Sequence, residues 1–154
     1  MIPDIRRPGD VDAAWLTRVL QNAGVDAVVG SFQAANVGTG QIGDSVRFRL
    51  TYERSAEGAP ASLVGKFPSA NEDSRRTGVM LGNYVREVNF YRELAATALV
   101  STPRCLHADI DVASGEFVLL MEDLAPAVQG DQTVGLTLPQ VELALDEAAK
   151  LHAS

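Results

Sequence analysis

The sequence is poor in cysteine: Cys105 is the one cysteine among its 154 residues. A lone thiol cannot form a disulfide within the chain, and it cannot build a zinc site from several cysteines. We expect Cys105 to pack as a small hydrophobic side chain. Redox chemistry is therefore not expected of this protein.

Long apolar runs are also missing. No stretch approaches the roughly 18 consecutive apolar residues of a membrane-spanning helix, and no basic segment followed by an apolar one opens the chain. There is no low-complexity segment and no repeat of solenoid period. With 46% hydrophobic and 21% charged residues, the sequence predicts one globular domain or one large lobe, in the cytoplasm and without membrane association.

Positive charge is in deficit, with 13 lysines and arginines against 20 aspartates and glutamates and a net charge of −7. An acidic protein repels polyanions, so nucleic acid and anionic lipid are not expected as partners. A single nucleotide remains compatible, because it needs only local backbone amides, one lysine and a metal ion. The acidic balance would also tolerate a cationic small substrate.

The stretch NVGTGQIGDSVRFRL places Gly38, Gly40 and Gly43 in the spacing G-x-G-x-x-G. Dinucleotide-binding units and kinase-type loops share this spacing, but the glycines open a helix in the first and join two antiparallel strands in the second. Apolar and polar residues alternate from Ser45 to Tyr52, and the preceding AVVGSFQAANV is rich in strand-forming residues, so we predict a hairpin. Such a loop lets backbone amides approach phosphate oxygens closely, although a plain flexible turn has the same spacing.

A packing helix is predicted before this hairpin, in GDVDAAWLTRVLQNAG. Asp10 is its expected cap and Gly24 its expected end. Its apolar residues recur at helical spacing and are Trp15, Leu16, Val19 and Leu20.

A third strand is predicted from Ala61 to Phe67, after a turn at Glu53 to Pro60, which gives a three-stranded antiparallel meander. Lys66 lies near the end of this strand, on the same face as Ser62 and Val64. From the strand alone, Lys66 is interpreted as an edge lysine that extends into solvent.

Glu87 changes the interpretation of Lys66. A polar loop is predicted from Pro68 to Gly82, followed by an amphipathic helix in NYVREVNFYRELAA. The helix carries an apolar stripe of Tyr84, Val88, Tyr91 and Ala95, flanked by Phe90 and Leu94. Glu87 falls inside that apolar arc, where an unpaired ion would cost several kcal/mol. Either Glu87 is protonated, or the arc ends at its edge, or a cation meets it, and Lys66 is the nearest candidate in sequence.

Two further strands, Arg104–Asp111 and Phe117–Met121, bring the predicted sheet to five antiparallel strands. The segment Phe117–Met121 is continuously apolar, as a strand buried on both faces would be. After it, Glu122–Pro126 is expected to be a linker whose backbone groups pair with an adenine edge, or a simple exit loop. His107 should be a strand histidine with a satisfied hydrogen bond.

The order of these features is glycine hairpin, strand lysine, helix glutamate, buried strand and acidic linker. The likeness to a known family is carried by SLVGKFPS, YVREVNFYREL, TPRCLHADID, FVLLMEDLAP and GDQTVGLTLPQVELALDEAAKLHA. With these segments the chain resembles, from about Val37 to Ala153, the amino-terminal lobe of the aminoglycoside phosphotransferase and choline-kinase-like small-molecule kinases. The resemblance implies an α+β, protein-kinase-like small lobe with a five-stranded antiparallel sheet and a packed helix carrying Glu87. Residues 1–124 would form this nucleotide-binding lobe, and residues 125–154 the linker and first helix of a second lobe.

The resemblance implies roles for five of the residues already singled out. Gly38, Gly40 and Gly43 would cover the triphosphate of ATP, with GTP as the alternative. Lys66 would hold the α and β phosphates, and Glu87 would orient Lys66 through an ion pair.

By the same resemblance, the backbone carbonyl of Glu122 and the amide of Leu124 would bind the purine edge. A hydroxyl group of a small molecule would accept the phosphoryl group, with Mg²⁺ held by the second lobe. The catalytic loop H-x-D-x-x-x-x-N of these kinases is not found: His107 and Asp109 imitate its start, but Ser114 stands where asparagine is needed. No catalytic residue is therefore predicted in this chain. Two functions stay open: the ATP-binding lobe of a phosphotransferase, and a nucleotide-binding or interaction module without turnover.

The last predicted helix begins with Thr137 and Gln140 as a capping box and with Pro139 in its first turn. His152 should pack or cap the last carbonyls at its end. The apolar stripe of this helix consists of Val141, Ala144, Leu145, Ala148 and Leu151. We expect the stripe to pack against a second lobe or against a second copy of the chain, which would give a homodimer.

Overall fold

The computed structural model describes residues 3–38, 40–131 and 133–154. The architecture is α+β. Its strands are β1 (Val28–Asn36), β2 (Gly43–Arg54), β3 (Ser62–Pro68), β4 (Cys105–Asp111) and β5 (Glu116–Glu122). Its α-helices are α1 (Ala13–Asn22), α2 (Glu72–Met80), α3 (Asn83–Asn89) and α4 (Leu138–His152).

The five strands form one open antiparallel sheet in the order β1-β2-β3-β5-β4. The predicted number and direction of the strands are thus confirmed. Strand β5 lies between β3 and β4, and its segment Phe117–Met121 is buried throughout, as its continuous apolar run predicts. Because β5 is inserted between strands that are distant in sequence, it fixes where the linker after Glu122 leaves the sheet.

Helix α1 covers one face of the sheet. The predicted apolar stripe is buried there against side chains of β2, β3 and β5, and it consists of Trp15, Leu16, Val19 and Leu20. Gly24 follows the helix with φ +85°, in the left-handed region that ends helices. The predicted cap is wrong: Asp10 belongs to a short 3₁₀ turn, Pro8–Asp10, and Asp12 caps α1 by accepting a hydrogen bond from Trp15 N at 2.7 Å.

Helix α3 covers part of the opposite face, with Tyr84 and Val88 buried against β4 and β5. The predicted single helix changes character after Asn89, because Phe90–Leu94 forms a π-helical turn closed by a 2.8 Å hydrogen bond from Ala95 N to the Phe90 carbonyl. A π turn shifts the phase of the side chains that follow it. Leu94 is consequently 57% exposed rather than part of the apolar flank.

The predicted loop from Pro68 to Gly82 contains helix α2. Its sequence, EDSRRTGVM, is polar over its first turns, so no apolar stripe marks it as helical. The start signal is a cap: Asn71 Oδ1 accepts a hydrogen bond from Ser74 N at 3.0 Å. The helix approaches the sheet at Gly78, its one buried residue.

Helix α4 begins with the predicted capping box of Thr137 and Gln140. It meets the rest of the domain through polar contacts, in which Glu147 Oε2 accepts from Ser101 N at 2.7 Å and Ser154 Oγ from Leu99 N at 2.8 Å. Its large apolar side chains are exposed, including Leu138, Val141, Leu143, Leu145 and Leu151. Among the described residues, no helix combines the length and apolarity required to cross a bilayer.

Candidate functional site

A cleft of about 880 Å³ opens between the β1–β2 loop, β3 and α3. Five predicted site residues, Gly38, Gly40, Gly43, Lys66 and Glu87, all line it. The structure therefore brings together side chains and backbone from three separate segments of the sequence. Its other lining residues include Ser45, Asn83, Tyr84, Phe117, Gln129, Gly130 and Asp131.

The glycines join two antiparallel strands, β1 and β2, as predicted for the kinase-type arrangement rather than for the dinucleotide-binding one. Gly38 has φ +75°, a conformation that other residues rarely adopt. A Cβ on Gly40 would lie 2.1 Å from the carbonyl oxygen of Gly43, and a Cβ on Gly43 would lie 3.0 Å from that of Phe67. The tight course of the loop thus requires glycine at Gly38 and Gly40 and favours it at Gly43.

Lys66 and Glu87 form an ion pair in this cleft, from the ammonium Nζ to the carboxylate Oε1. Lys66 comes from β3, where Ser62, Val64 and Lys66 share the less buried face, and Glu87 comes from the middle of α3. Their side chains are 32% and 34% exposed. Glu87 therefore lies at the edge of the apolar arc and meets a cation there, while its partner keeps an exposed fraction that a ligand can contact.

Tyr91 lies near Glu87 and packs against the apolar cluster between α3, β4 and β5. Burial, and secondly the charge of Glu87, raise the pKa of Tyr91 to about 12. Tyr91 therefore stays neutral beside the carboxylate at physiological pH. Lys66 is then the cationic partner that the structure gives Glu87, as a compact point charge on a flexible stem.

Glu122 is the last residue of β5 and Leu124 follows in the linker, and neither lines the cleft. Glu122 is bound to Arg104 twice, with its amide donating to the Arg104 carbonyl and its Oε1 accepting from Arg104 N, both at 2.9 Å. Leu124 is 55% exposed, and its carbonyl accepts from Ala127 N at 2.9 Å.

Between those two residues, Asp123 ties the linker to the sheet, a contact that sequence reasoning missed. Its side chain is 5% exposed and accepts hydrogen bonds from two guanidinium nitrogens of Arg47, Nε at 2.5 Å and Nη2 at 3.0 Å. Ser62 Oγ donates to it at 2.6 Å and Ala125 N at 3.0 Å. The Arg47 guanidinium, followed by the other donors, lowers the pKa of Asp123 to about 2 against the opposing effect of burial. The register of β2 and β3 places Arg47 on the same face of the sheet as Lys66. No sequence pattern marks the pair, because its two members are 76 residues apart.

The linker also reaches the glycine loop. Gln129, Gly130 and Asp131 line the cleft, and a Cβ on Gly38 would lie 3.5 Å from Gln129 Oε1. No pattern in the sequence marks these three residues, because a polar loop has no periodicity.

His107 and Asp109 have structural contacts on β4. His107 Nε2 lies 2.9 Å from the Asp4 carbonyl oxygen, and its ring meets Trp15 edge-on, which confirms the predicted strand histidine. Asp109 accepts hydrogen bonds from Asp4 N at 2.7 Å and from Arg92 at 2.5 Å. His107 and Asp109, which match the start of the catalytic-loop pattern, therefore lie in a strand, and the Asp109 carboxylate is already hydrogen-bonded.

Over residues 3–38, 40–131 and 133–154, no group of three or more histidine, cysteine, aspartate and glutamate side chains is placed to hold a metal ion. A comparison with models of known protein families gives no match to this chain, and a comparison with curated proteins gives none either.

Proposed function

We propose that the chain is the nucleotide-binding lobe of an ATP-dependent small-molecule phosphotransferase of the aminoglycoside phosphotransferase type. One observation carries the proposal: the Lys66–Glu87 ion pair and the glycine hairpin line the same cleft. The volume of the cleft, about 880 Å³, is in the range of small-molecule sites.

The chemistry of the cleft suits a polyphosphate. A glycine loop allows phosphate oxygens to approach backbone amides, and the Lys66 ammonium supplies a positive charge that is strong in a partly desolvated site. Glu87 limits the positions that this long side chain occupies, so less freedom is lost when a phosphate binds. Gly38, Gly40 and Gly43 would cover the phosphates in this arrangement.

The purine would bind beside the linker, at the backbone carbonyl of Glu122 and the amide of Leu124. Support for this part comes from Asp123, whose contacts with Arg47 and Ser62 fasten the linker to β2 and β3. A fastened backbone presents its polar groups in one arrangement, which favours recognition of a planar base.

Transfer itself would move the γ-phosphoryl group to a hydroxyl of a small molecule. The described residues do not fit a Mg²⁺ site, and we assign neither a metal ligand nor a catalytic base to this chain. The alternative function, nucleotide binding or protein interaction without turnover, is favoured by the engaged carboxylate of Asp109 on β4. Because ATP and GTP are available in the cytoplasm, a nucleotide-binding function supports a cytoplasmic location.

Nucleotide binding tests the proposal. Lys66 and Lys150 are the lysines of the sequence, and Lys150 pairs with Glu147 on α4, so Lys150→Ala is a matched control for Lys66→Ala. Calorimetric titration with ATP and GTP should show affinity reduced about tenfold or more in Lys66→Ala, because a charge-assisted contact is lost, and unchanged affinity in Lys150→Ala. Equal affinities of wild type and Lys66→Ala would remove Lys66 from the site.

A turnover assay tests the prediction, common to both functions, that this chain contains no catalytic group. Phosphate transfer is measured with radiolabelled ATP and a panel of hydroxyl acceptors, including aminoglycosides and choline. We expect this chain to bind nucleotide and to transfer nothing. If this chain transfers phosphate and Lys66→Ala does not, the chain contains a catalytic group, and the prediction that it has none is wrong.

A further inference from the structure

Tyr84 joins the glycine loop to the helix that carries Glu87. Its hydroxyl donates a hydrogen bond of 2.5 Å to the carbonyl of Ile42, which lies between Gly40 and Gly43. Tyr84 is 3% exposed and stands on α3, three residues before Glu87. The turn of α3 that contains Glu87 is thus also the turn to which Ile42 of the loop is hydrogen-bonded, through Tyr84.

The ring of Tyr84 is held on more than one side. Phe117 of β5 packs against it with ring centroids 4.6 Å apart. Helix α2 comes so close that a Cβ on Gly78 would lie 2.5 Å from Tyr84 Cζ and 2.6 Å from Ile42 Cγ2. The position of the hydroxyl is therefore set by packing, and burial raises the pKa of Tyr84, which keeps it a donor at neutral pH.

A phenylalanine would fill the same space as the Tyr84 ring. The hydroxyl adds a bond to the backbone of a loop that contains three glycines in six residues, from Gly38 to Gly43. It also accepts a longer bond of 3.5 Å from Ser69 N, directly after β3 and outside that loop. Glycine-rich backbone loses more freedom on ordering than other backbone. A loop that is already fastened in the free protein loses less of that freedom when phosphate binds.

We propose that Tyr84 is a positioning residue that fastens the glycine loop over the cleft, so that affinity for the phosphate groups of a nucleotide depends on its hydroxyl. This inference rests on the proposed function. It concerns the phosphates and not the base, because Ile42 lies in the glycine loop whereas the linker residues Glu122 and Leu124 line no part of this cleft.

Tyr84→Phe tests the inference, with Tyr52→Phe as the control. Tyr52 makes the same kind of bond, donating to the Pro60 carbonyl at 2.6 Å in the turn between β2 and β3. Affinities for ATP and for adenosine, which lacks phosphates, are measured by calorimetry. Tyr84→Phe should weaken ATP binding about threefold to tenfold and leave adenosine binding within about twofold of wild type. Tyr52→Phe should change neither affinity.

Amide hydrogen exchange without nucleotide provides a second measurement, after thermal unfolding shows that both variants are folded. Exchange of the amides from Gly40 to Ser45 should accelerate in Tyr84→Phe and not in Tyr52→Phe. If Tyr84→Phe binds ATP as tightly as wild type, the inference is overturned, even if amide exchange is faster. It is also overturned if Tyr84→Phe loses as much affinity for adenosine as for ATP. If wild type binds ATP and Lys66→Ala does not, either of those results leaves the proposed function standing. A wild-type chain that binds no ATP refutes the proposed function and this inference with it.

Discussion

The Lys66 ammonium and the Glu87 carboxylate, 21 residues apart in the sequence, form an ion pair between strand β3 and helix α3. Both side chains are about one third exposed, so the pair is screened by solvent and contributes little to stability. Its geometric effect is larger. The pair fixes an ammonium group in a cleft bordered by the glycine loop.

Replacement of Glu87 by glutamine should therefore affect binding more than folding. We expect ATP affinity to fall about threefold to tenfold, less than in Lys66→Ala, because the ammonium remains but is no longer oriented. The free energy of unfolding should change by less than about 1 kcal/mol. Calorimetry and urea denaturation measure the two quantities. Glu93 is an exposed glutamate that follows the same helix, so Glu93→Gln is the matched control. A similar loss of ATP affinity in Glu93→Gln would contradict a specific role for Glu87.

Asp123 should make stability depend on pH in the acid range. Its pKa is about 2 in the folded chain, below the ordinary value of 3.8, mainly because of Arg47. A lowered pKa in the folded state adds stability above the ordinary value, and this stability is lost as pH falls from about 4 towards about 2. At neutral pH, we expect the free energy of unfolding of wild type to be about 1 to 2 kcal/mol higher than that of Asp123→Asn, after allowance for solvent screening. The difference should shrink as pH falls through that range, as measured by urea denaturation.

Asp26→Asn is the control for that experiment. Asp26 also pairs with an arginine, Arg54, but its side chain is 78% exposed. Solvent screens such a pair, so the same pH series should show a much smaller difference from wild type. A difference for Asp123→Asn that stays constant from neutral pH down to about 2 would assign its effect to packing rather than to charge.

The fold was largely predictable from local patterns. Alternation marks β2 and β3, a continuous apolar run marks β5, and the helical stripe around Trp15 marks α1. Each of these patterns reports burial against the sheet, and burial is what hydrophobic periodicity encodes. Helix α2 was not predictable in this way, because it is polar and approaches the sheet at Gly78. The π turn after Asn89 was hidden for a similar reason, since it changes the phase without a change in composition.

The candidate site was predictable where the spacing of the glycines marked a hairpin loop, and where one residue raised a question that another answered. For Glu87 inside an apolar arc, a cation was one of three explanations and Lys66 its nearest candidate, and the structure pairs the two residues. Arg47 and Asp123 gave no such signal, because charged residues in a strand and a linker are ordinary when considered separately. Tyr84 was recognised as apolar core, but its bond to Ile42 depends on how the loop and the helix are placed in space.

Gly78→Ala should destabilise the protein and disturb the cleft together. The added methyl would meet Tyr84 Cζ at 2.5 Å and Ile42 Cγ2 at 2.6 Å. Overpacking typically costs about 1 to 3 kcal/mol, of which the better helix propensity of alanine returns up to about 1 kcal/mol. Urea denaturation should show this net loss. Gly9→Ala, where no atom lies within 4 Å of the added Cβ, should stay within about 0.5 kcal/mol of wild type; an equal loss at both sites would contradict the packing argument.

Cys105 should react slowly with thiol reagents in the folded protein. Burial raises the pKa of its thiol to about 11, and its Sγ donates to the His107 carbonyl at 3.3 Å. The thiolate is the reactive form, and at pH 8 roughly one thiol in a thousand would be ionised. Reaction with a chromogenic disulfide at pH 8 should therefore be much slower in native buffer than in urea, since local opening must come first. The control carries Cys105→Ser together with Ser55→Cys, which places a thiol at an exposed position and should react at once. Native Cys105 that reacts as fast as this exposed thiol would show that β4 is open to solvent at this position, and the apolar packing of α3 on β4 would then have to be revised.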